Sequence, residues 1–490
     1  MARFFLKHAF WVLMALLFVI LRLPSLFEPH WYGDEGIYLV LGQGINRGLT
    51  LYSQIHDNKP PLLYYLAAIS QTVFGFRLLL SLVMIPTIYS FYRLSKLFFK
   101  QNLSRLLTIV FLVVTSIPFI EGNIANAEIF MLLPTLVAFI LIYRPVSIYS
   151  YFLSGLLLGI AFTIKIPVAF EFLFLIFWLV LNYFKFSLPL RFPDFRKFFL
   201  NLVVFTAAFV LPISLWAIYF YFKQALPQFV FASLLQNFGY LSSWAVGTHS
   251  GSATQGGVVV RGIIMIAFWF LTILARYLKK IDRPFTFLLL WFSTTIFTSL
   301  LSSRPYPHYL IQIIPPSLLL LGWLISKGSI LRHKILVLLL FLLTFIIYQK
   351  FDFYSYPTIS YYQNYYSYLL GNKSPESYRN YFSGSINSMY QAADYIKKNS
   401  NPDDRIFVWG DSPFLYPLSD RLPSGRYTVA YHILDFKGYT QTMNYLKIDL
   451  PKFIVYLPMT NRPFPSLDDF IRNYYYPDAQ FGKFTIFKLR

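Results

Sequence analysis

Two short stretches of this chain concentrate residues able to do acid–base and charge chemistry. The first is WYGDEGIYLV (Trp31–Val40), in which Asp34 and Glu35 stand side by side at the head of a helix-like run that follows an apolar segment. A carboxylate held there can act as a general base toward a hydroxyl that reaches it. The same residue type also caps helices, and Asp34 after Gly33 fits that role as well. The second stretch is HDNKPPLLYYL (His56–Leu66), where Asp57 and Lys59 precede Pro60 and Pro61. Lys59 can meet an anionic group or simply extend its ammonium toward lipid headgroups. Further on, Glu128 lies in NIANAEIFML (Asn123–Leu132) and Lys165 in SGLLLGIAFTIKIPVA (Ser154–Ala169). Arg304, His308 and Tyr309 lie in SSRPYPHYLIQIIPP (Ser302–Pro316), and Arg261 heads an apolar run of its own. The chain has no cysteine, which excludes disulfides, thiolate metal sites and a cysteine nucleophile. No HExxH or paired-histidine spacing and no glycine-rich phosphate loop is present, so no metal and no cofactor is expected.

The elements that must position these residues follow from composition. Of 490 residues, 57% are hydrophobic and only 13% are charged, against about 25% charged in a soluble domain. That excludes a single water-soluble globule, a disordered chain, a collagen-like repeat and a coiled coil. The net charge of +21 comes from 42 Lys and Arg against 21 Asp and Glu, and the bases lie in clusters between apolar runs. Those clusters are Arg93, Lys96, Lys100 and Arg105; Lys185, Arg191, Arg196 and Lys197; Arg276, Lys279, Lys280 and Arg283; and Lys327, Arg332 and Lys334. By the positive-inside rule they face the cytoplasm and anionic lipid rather than nucleic acid.

A spanning helix needs about 20 mostly apolar residues. Keeping every basic cluster inside requires that Pro60–Gly75 form an interfacial or re-entrant helix instead of a crossing. The spans are then roughly 8–26, 77–98, 104–120, 127–143, 148–164, 168–184, 198–222, 261–278, 284–302, 308–326 and 334–350, about eleven, with the N-terminus inside. The first is a retained helix rather than a cleaved signal peptide. The outer loops are Phe27–Phe76, Ile120–Asn126, the turn around Lys165, Lys223–Val260 and Ser302–Pro307, and they hold Glu28, Asp34, Glu35, Asp57 and Glu121. After Lys350 the composition turns to Tyr, Asn, Ser and charge, which predicts an extracytoplasmic domain over 351–490 beside a membrane domain over 1–350. Within it Ser385–Asn399 has helical spacing, and Arg405–Trp409, Lys452–Leu457 and Phe484–Leu489 read as strands, so the domain is small and α/β. The tyrosines from Tyr354 to Tyr381 form an aromatic belt or help guide a substrate.

Taken together, the motifs resemble the GT-C glycosyltransferases, the group that includes the protein O-mannosyltransferases and the lipid A aminoarabinose transferases. The Asp34–Glu35 pair after the first helix, followed by Asp57, Lys59 and Pro60-Pro61-Leu62, is similar to that family's first outer loop. NIANAEIFML is similar to its second acidic loop, SGLLLGIAFTIKIPVA to its Gly-Leu-Ala-x-x-Thr-Lys segment, and SSRPYPHYLIQIIPP to its Arg-x-x-x-x-Tyr-x-x-x-x-x-Pro loop. The likeness covers roughly residues 5–350 and extends only loosely to the C-terminal part. The chain departs from the relatives in carrying HDNKPP where the aminoarabinose enzymes favour Glu-Lys-Pro-Pro and the eukaryotic mannosyltransferases His-Pro-Pro. It also lacks the Trp-Trp-Asp motif of oligosaccharyltransferases, which disfavours transfer of a whole oligosaccharide to Asn.

The resemblance implies a polytopic α-helical enzyme of the cell membrane that moves one sugar from a polyprenyl-phosphate donor to a hydroxyl of a protein, lipid or glycan acceptor on the outer face. It implies inversion at the anomeric carbon without a metal. In that scheme Asp34 takes the acceptor proton with Glu35 beside it, and Lys59, Lys165, Arg261 and Arg304 neutralise the departing phosphate. Glu35, Asp57 and Glu128 orient acceptor or donor, and His308 and Tyr309 contact substrate, His308 as a hydrogen-bonding or packing residue rather than a base. A transporter or flippase of lipid-linked sugars is the rival. Transporters tend to show related halves and charges near the midplane, whereas here the ionisable residues gather at one face and the first-loop pattern has no second copy.

Overall fold

Each of the eleven apolar runs falls on a helix in the computed structural model, which describes residues 2–184, 195–237, 255–302, 304–326, 330–458 and 462–490. Lys185, Arg191 and Lys327 of the basic clusters lie outside the described residues, as do Ser303 and residues 238–254 of the expected outer loops. Six helices are long and apolar enough to cross a membrane: Ala9–Leu26, Val73–Ser95, Phe195–Phe222, Gly257–Tyr277, Pro307–Ile325 and Leu331–Lys350. Shorter apolar helices, Gln101–Val114, Ala127–Tyr143, Ile148–Phe162 and Val168–Tyr183, lie between them in sequence. Ile263, Ile264, Ile266, Phe270 and Leu271 on a single helix are each at least 60% exposed. A continuous apolar face of that kind is unstable in water and is solvated by lipid. The chain is a multi-pass membrane protein.

The contacts divide the chain into two compact units. One comprises Met1–Leu23, Leu80–Trp216 and Phe238–Thr358, and the other Pro24–Leu79, Ala217–Asn237 and Ile359–Arg490. In the first unit, helices approach where small residues allow it. A Cβ on Gly155 would stand 2.1 Å from the Phe205 carbonyl oxygen, and one on Gly159 2.3 Å from that of Phe209. The Gly-x-x-x-Gly spacing puts both glycines on one face of the Ile148–Phe162 helix, so two backbones touch. Aromatic rings fill the rest of this core: Phe139, Phe174, Phe287 and Trp291 pack together, and Phe172 stacks on Phe209 at 3.9 Å.

The second unit begins with the helix Gly33–Asn46, almost wholly buried, and the short helix Leu62–Ser70. They lie backbone to backbone, since a Cβ on Gly42 would be 2.7 Å from the Ala68 nitrogen. At 1.5 Å per residue the nine residues of Leu62–Ser70 reach about half of the hydrocarbon thickness, too little to cross it alone. The same unit holds a four-stranded sheet of β1 (Ile406–Trp409), β2 (Phe453–Tyr456), β3 (Tyr475–Phe481) and β4 (Phe484–Leu489), in the order β1-β2-β4-β3. The parallel β1–β2 pair starts at Ile406 opposite Phe453, and β4 runs antiparallel to both β2 and β3. Helix Ile386–Lys398 and three of the four strands lie where the sequence predicts them. The remaining strand, β3, escapes notice because Pro477 and Asp478 interrupt it; it survives as an edge strand with a register shift between Pro477 and Ala479. A parallel pair needs a crossover, and the one from β1 to β2 carries the helices Ala430–Asp435 and Tyr439–Ile448. The sheet's core is Phe407, Trp409, Ile454, Leu467 and Phe470, with neighbours from these helices.

Candidate functional site

The adjacent acids Asp34 and Glu35 have different surroundings. Both lie in the first turn of Gly33–Asn46, where the helix dipole favours negative charge, but Tyr32 occupies the cap position with no side-chain cap bond. Asp34 is therefore not the N-cap. Its Oδ2 accepts a 3.0 Å hydrogen bond from the Tyr38 hydroxyl, one turn on, and lies 3.4 Å from Lys59 Nζ. The Asp34 side chain keeps 26% of its surface exposed. Glu35 turns inward and is fully engaged by Arg77, whose Nε donates to Oε1 at 2.8 Å and Nη2 to Oε2 at 2.6 Å. Arg77 also donates from Nη1 to the Ser25 carbonyl at 2.8 Å and pairs with Glu28 at 2.7 Å. Glu28 in turn accepts from Trp31 Nε1 at 2.7 Å and from the Tyr361 hydroxyl at 2.5 Å. All three ionic side chains are essentially inaccessible, a burial tolerable because Glu35 meets Arg77 in bidentate geometry and Glu28 meets Arg77 and two further donors.

Lys59 joins Asp34 to a second carboxylate. Its Nζ is 3.7 Å from Asp57 Oδ2 and lies over the Tyr38 ring at 4.9 Å from the centroid. The Lys59 backbone is pinned at both ends of its peptide group, the N–H donating to the Tyr64 hydroxyl at 3.0 Å and the carbonyl accepting from the Tyr52 hydroxyl at 2.7 Å. Asp57 is buried; its Oδ1 accepts the Asn58 backbone N–H at 2.7 Å and faces His432 Nε2 at 3.5 Å. Burial disfavours the Asp57 charge, but Lys59 first, then His432 and the Asn58 N–H, outweigh it and hold the carboxyl below its ordinary range. His56, beside it in sequence, contacts Arg426 Nη2 at 2.7 Å and Gln236 at 3.1 Å. Burial, then the Arg426 charge, push His56 down to about 3, and burial holds His432 below its ordinary value too. Both imidazoles are neutral near pH 7.

A separate cluster lies in the other unit. Glu128, in the short helix Ala127–Phe130, pairs with Lys165 at 2.6 Å, and His308 Nε2 lies 3.8 Å from the same carboxylate oxygen. His308 Nδ1 bonds Glu121, and Lys165 sits over the Tyr309 ring at 5.1 Å. Burial, and then the Glu121 charge, raise the Tyr356 hydroxyl above its ordinary value. Arg304 is buried in this unit, and Arg261 lies 5.8 Å from the Phe351 ring. The candidate residues thus fall into two groups: Asp34, Glu35, Asp57 and Lys59 in one unit, and Glu128, Lys165, His308 and Tyr309 together in the other, with Arg261 and Arg304 elsewhere in the latter. Among the described residues, no group of three or more His, Asp or Glu side chains is disposed to hold a metal ion.

Sequence reasoning missed Arg77, Tyr38, His432 and the engagement of Glu121. For Arg77 a signal existed, since an arginine in an apolar helix implies a buried anionic partner. For His432 there was none: it stands nearly 400 residues along, in a stretch with no motif.

No protein-family model and no curated protein sequence matches the chain. Solved structures do match in shape. ArnT from Cupriavidus metallidurans bound to undecaprenyl phosphate superposes with a TM-score of 0.59 at 13% identity, covering 97% of both chains. Its apo state gives 0.55 at 14% identity with the same coverage. Archaeal oligosaccharyltransferase AglB from Archaeoglobus fulgidus overlaps more loosely, with a TM-score of 0.45 at 13% identity over 98% of this chain and 74% of that one. The likeness to ArnT, over nearly the full length of both chains, shows the GT-C fold.

Proposed function

We propose that this protein is a membrane glycosyltransferase that moves a single sugar from a polyprenyl-phosphate donor to an acceptor hydroxyl at the outer face of the cell membrane. The reading includes about eleven crossings, a membrane catalytic region over 1–350 and an extracytoplasmic region over 351–490. One observation carries it: of the two adjacent first-loop acids, Asp34 is accessible, oriented by Tyr38 and set beside Lys59, while Glu35 is locked to Arg77. The undecaprenyl phosphate bound to ArnT, which shares the fold, supports the donor class.

In the proposed step the acceptor oxygen attacks the anomeric carbon as its proton passes to Asp34. The bond from that carbon to the phosphate oxygen breaks, and the polyprenyl phosphate leaves with the electron pair. Attack opposite the leaving group inverts the centre. Lys59, beside Asp34, offsets the phosphate charge, a role that needs no metal. In the other unit Glu128 holds Lys165, with His308 and Tyr309 in the same cluster. Glu35 acts by fixing the first turn of the helix, not by exchanging a proton.

The test is to incubate the purified protein with a panel of polyprenyl-phosphate sugars and nucleotide sugars and follow consumption by mass spectrometry. Consumption of one lipid-linked sugar with release of polyprenyl phosphate is expected. Preference for a nucleotide sugar refutes the donor class, and movement of intact lipid-linked sugar across vesicles without cleavage favours a flippase.

A further inference from the structure

Lys59 lies almost midway between two carboxylates and pairs with both, 3.4 Å from Asp34 and 3.7 Å from Asp57. Its attraction to each is nearly equal at those distances, so its resting place depends on how well each carboxylate is satisfied by its other neighbours. Asp34 has the Tyr38 hydroxyl and partial access to water. Asp57, with 1% of its surface exposed, has the Asn58 N–H, the Tyr64 hydroxyl and the imidazole of His432.

We propose that His432 is a positioning residue of the transfer site: by facing Asp57 it keeps that buried carboxylate from drawing Lys59 away from Asp34. The crossover between β1 and β2 thereby contributes to the first-loop chemistry, within the same compact unit. This rests on the function proposed above.

The state of His432 suits the task. Its ring lies against Phe436 and Tyr431, and Nδ1 has no hydrogen-bond partner among the described residues. An orphaned lone pair costs less than an orphaned N–H, so the single proton of the neutral ring belongs on Nε2, toward Asp57. A neutral donor is what the geometry requires, because an imidazolium would compete with Lys59 for Asp57. The charged groups acting on the ring are Asp57, Lys59 and Asp34 from the first loop and Asp435 on its own helix. His56, neutral and bound to Arg426, also packs against Phe436.

The segment bearing His432 is tied to the first loop elsewhere too. The His56 N–H donates to the Arg426 carbonyl at 2.9 Å, Arg426 Nη2 donates to the Tyr52 carbonyl at 2.7 Å, and His30 bonds the Tyr390 hydroxyl at 2.5 Å. Those contacts hold the loop without His432, so its removal should leave the fold in place.

The experiment compares His432→Leu, which fills the space without a donor, and His432→Gln, which keeps an N–H, in the full-length protein. One readout is the acylation rate of the Lys59 amine by an amine-reactive reagent, mapped by peptide mass spectrometry with exposed Lys398 as internal control. The other is transfer kinetics. In His432→Leu, Lys59 withdraws onto buried Asp57, so its acylation slows and the KM for donor rises by about tenfold, with Lys398 unchanged. His432→Gln restores both, and in an Asp57→Asn background His432→Leu has no further effect. Wild-type Lys59 acylation in His432→Leu, equal defects in the Leu and Gln variants, or failure of both to fold overturns the proposal. A wild-type protein that shows the acylation pattern but transfers no sugar refutes the function and leaves the coupling of His432 to Lys59 standing.

Discussion

Replacing Asp34 by Asn and, separately, Glu35 by Gln should separate catalysis from structure in two neighbouring residues. Asparagine keeps the shape of Asp34 and an acceptor for the 3.0 Å bond from Tyr38. It loses a partly exposed ion pair with Lys59, worth about 1 kcal/mol or less. Stability should therefore hardly change. As a base, however, asparagine is useless, and general-base catalysis contributes on the order of 100- to 10,000-fold, which is about 3 to 5 kcal/mol of barrier. Glu35→Gln gives the opposite pattern. Glutamine retains one acceptor for Arg77, which still has Glu28 and the Ser25 carbonyl, but loses a charge-assisted hydrogen bond in a dry site. That costs about 1.5 to 3 kcal/mol of stability, while the folded fraction transfers sugar at close to the wild-type rate. The assays are initial transfer rates with the donor found in the panel, and thermal unfolding in detergent followed by intrinsic fluorescence. Near wild-type transfer by Asp34→Asn, with the rate lost in folded Glu35→Gln, would show that the reasoning chose the wrong carboxylate.

Other perturbations address the remaining links. Lys59→Ala and Lys165→Ala should each weaken donor phosphate binding by about 10- to 100-fold, the worth of one charge-assisted contact; unchanged affinity in both returns these lysines to anchoring at the headgroups. His30 and His56 are held down to about 4 and about 3, in each case mainly by burial and then by a nearby arginine. The unfolded chain takes up protons on both below its ordinary histidine value of about 6.5. Their stabilising contribution is complete above that pH and falls by about 1.4 kcal/mol per pH unit for each residue as pH drops toward 4. A midpoint of unfolding that does not move between pH 7 and pH 5 contradicts this. Gly159→Val should abolish folded protein, because the added Cβ alone meets the Phe209 carbonyl; a wild-type yield would mean that the two helices are not in backbone contact. Cysteine introduced at Ser385 into this cysteine-free chain should react with an impermeant reagent from outside, and reaction only from the cytoplasmic side reverses the topology.

The six long apolar helices were legible because lipid imposes a pattern on composition, long runs of apolar residues. The strands at Ile406, Phe453 and Phe484 were legible from alternation and bracketing turns. What stayed hidden was pairing at long range. Nothing near Glu35 announces that its partner is Arg77 on the Val73–Ser95 helix, and nothing near Asp57 points to His432. The compact units show the same limit, since Pro24–Leu79 and Ala217–Asn237 join Ile359–Arg490 across the sequence. A composition change at Lys350 reports where the solvent changes, not which segments fold together.

The same long-range pairing sets the four acids of this stretch apart. Glu28, Glu35, Asp34 and Asp57 all belong to the segment Phe27–Phe76, and burying a carboxylate is costly unless a cation or donors accompany it. Arg77 accompanies Glu28 and Glu35, while Lys59, the Asn58 N–H and His432 accompany Asp57. Each of those three is committed, and its oxygen atoms are closed to a substrate. Successive residues of a helix point about 100° apart, so with Glu35 turned inward to Arg77, Asp34 must point along a different face. There it keeps 26% of its side-chain surface open, with Lys59 beside it. The locked carboxylates therefore do more than stabilise the loop: with Glu35 held on Arg77 and Asp57 buried, Asp34 is the most exposed of the four and lies beside Lys59, the arrangement that the proposed transfer requires.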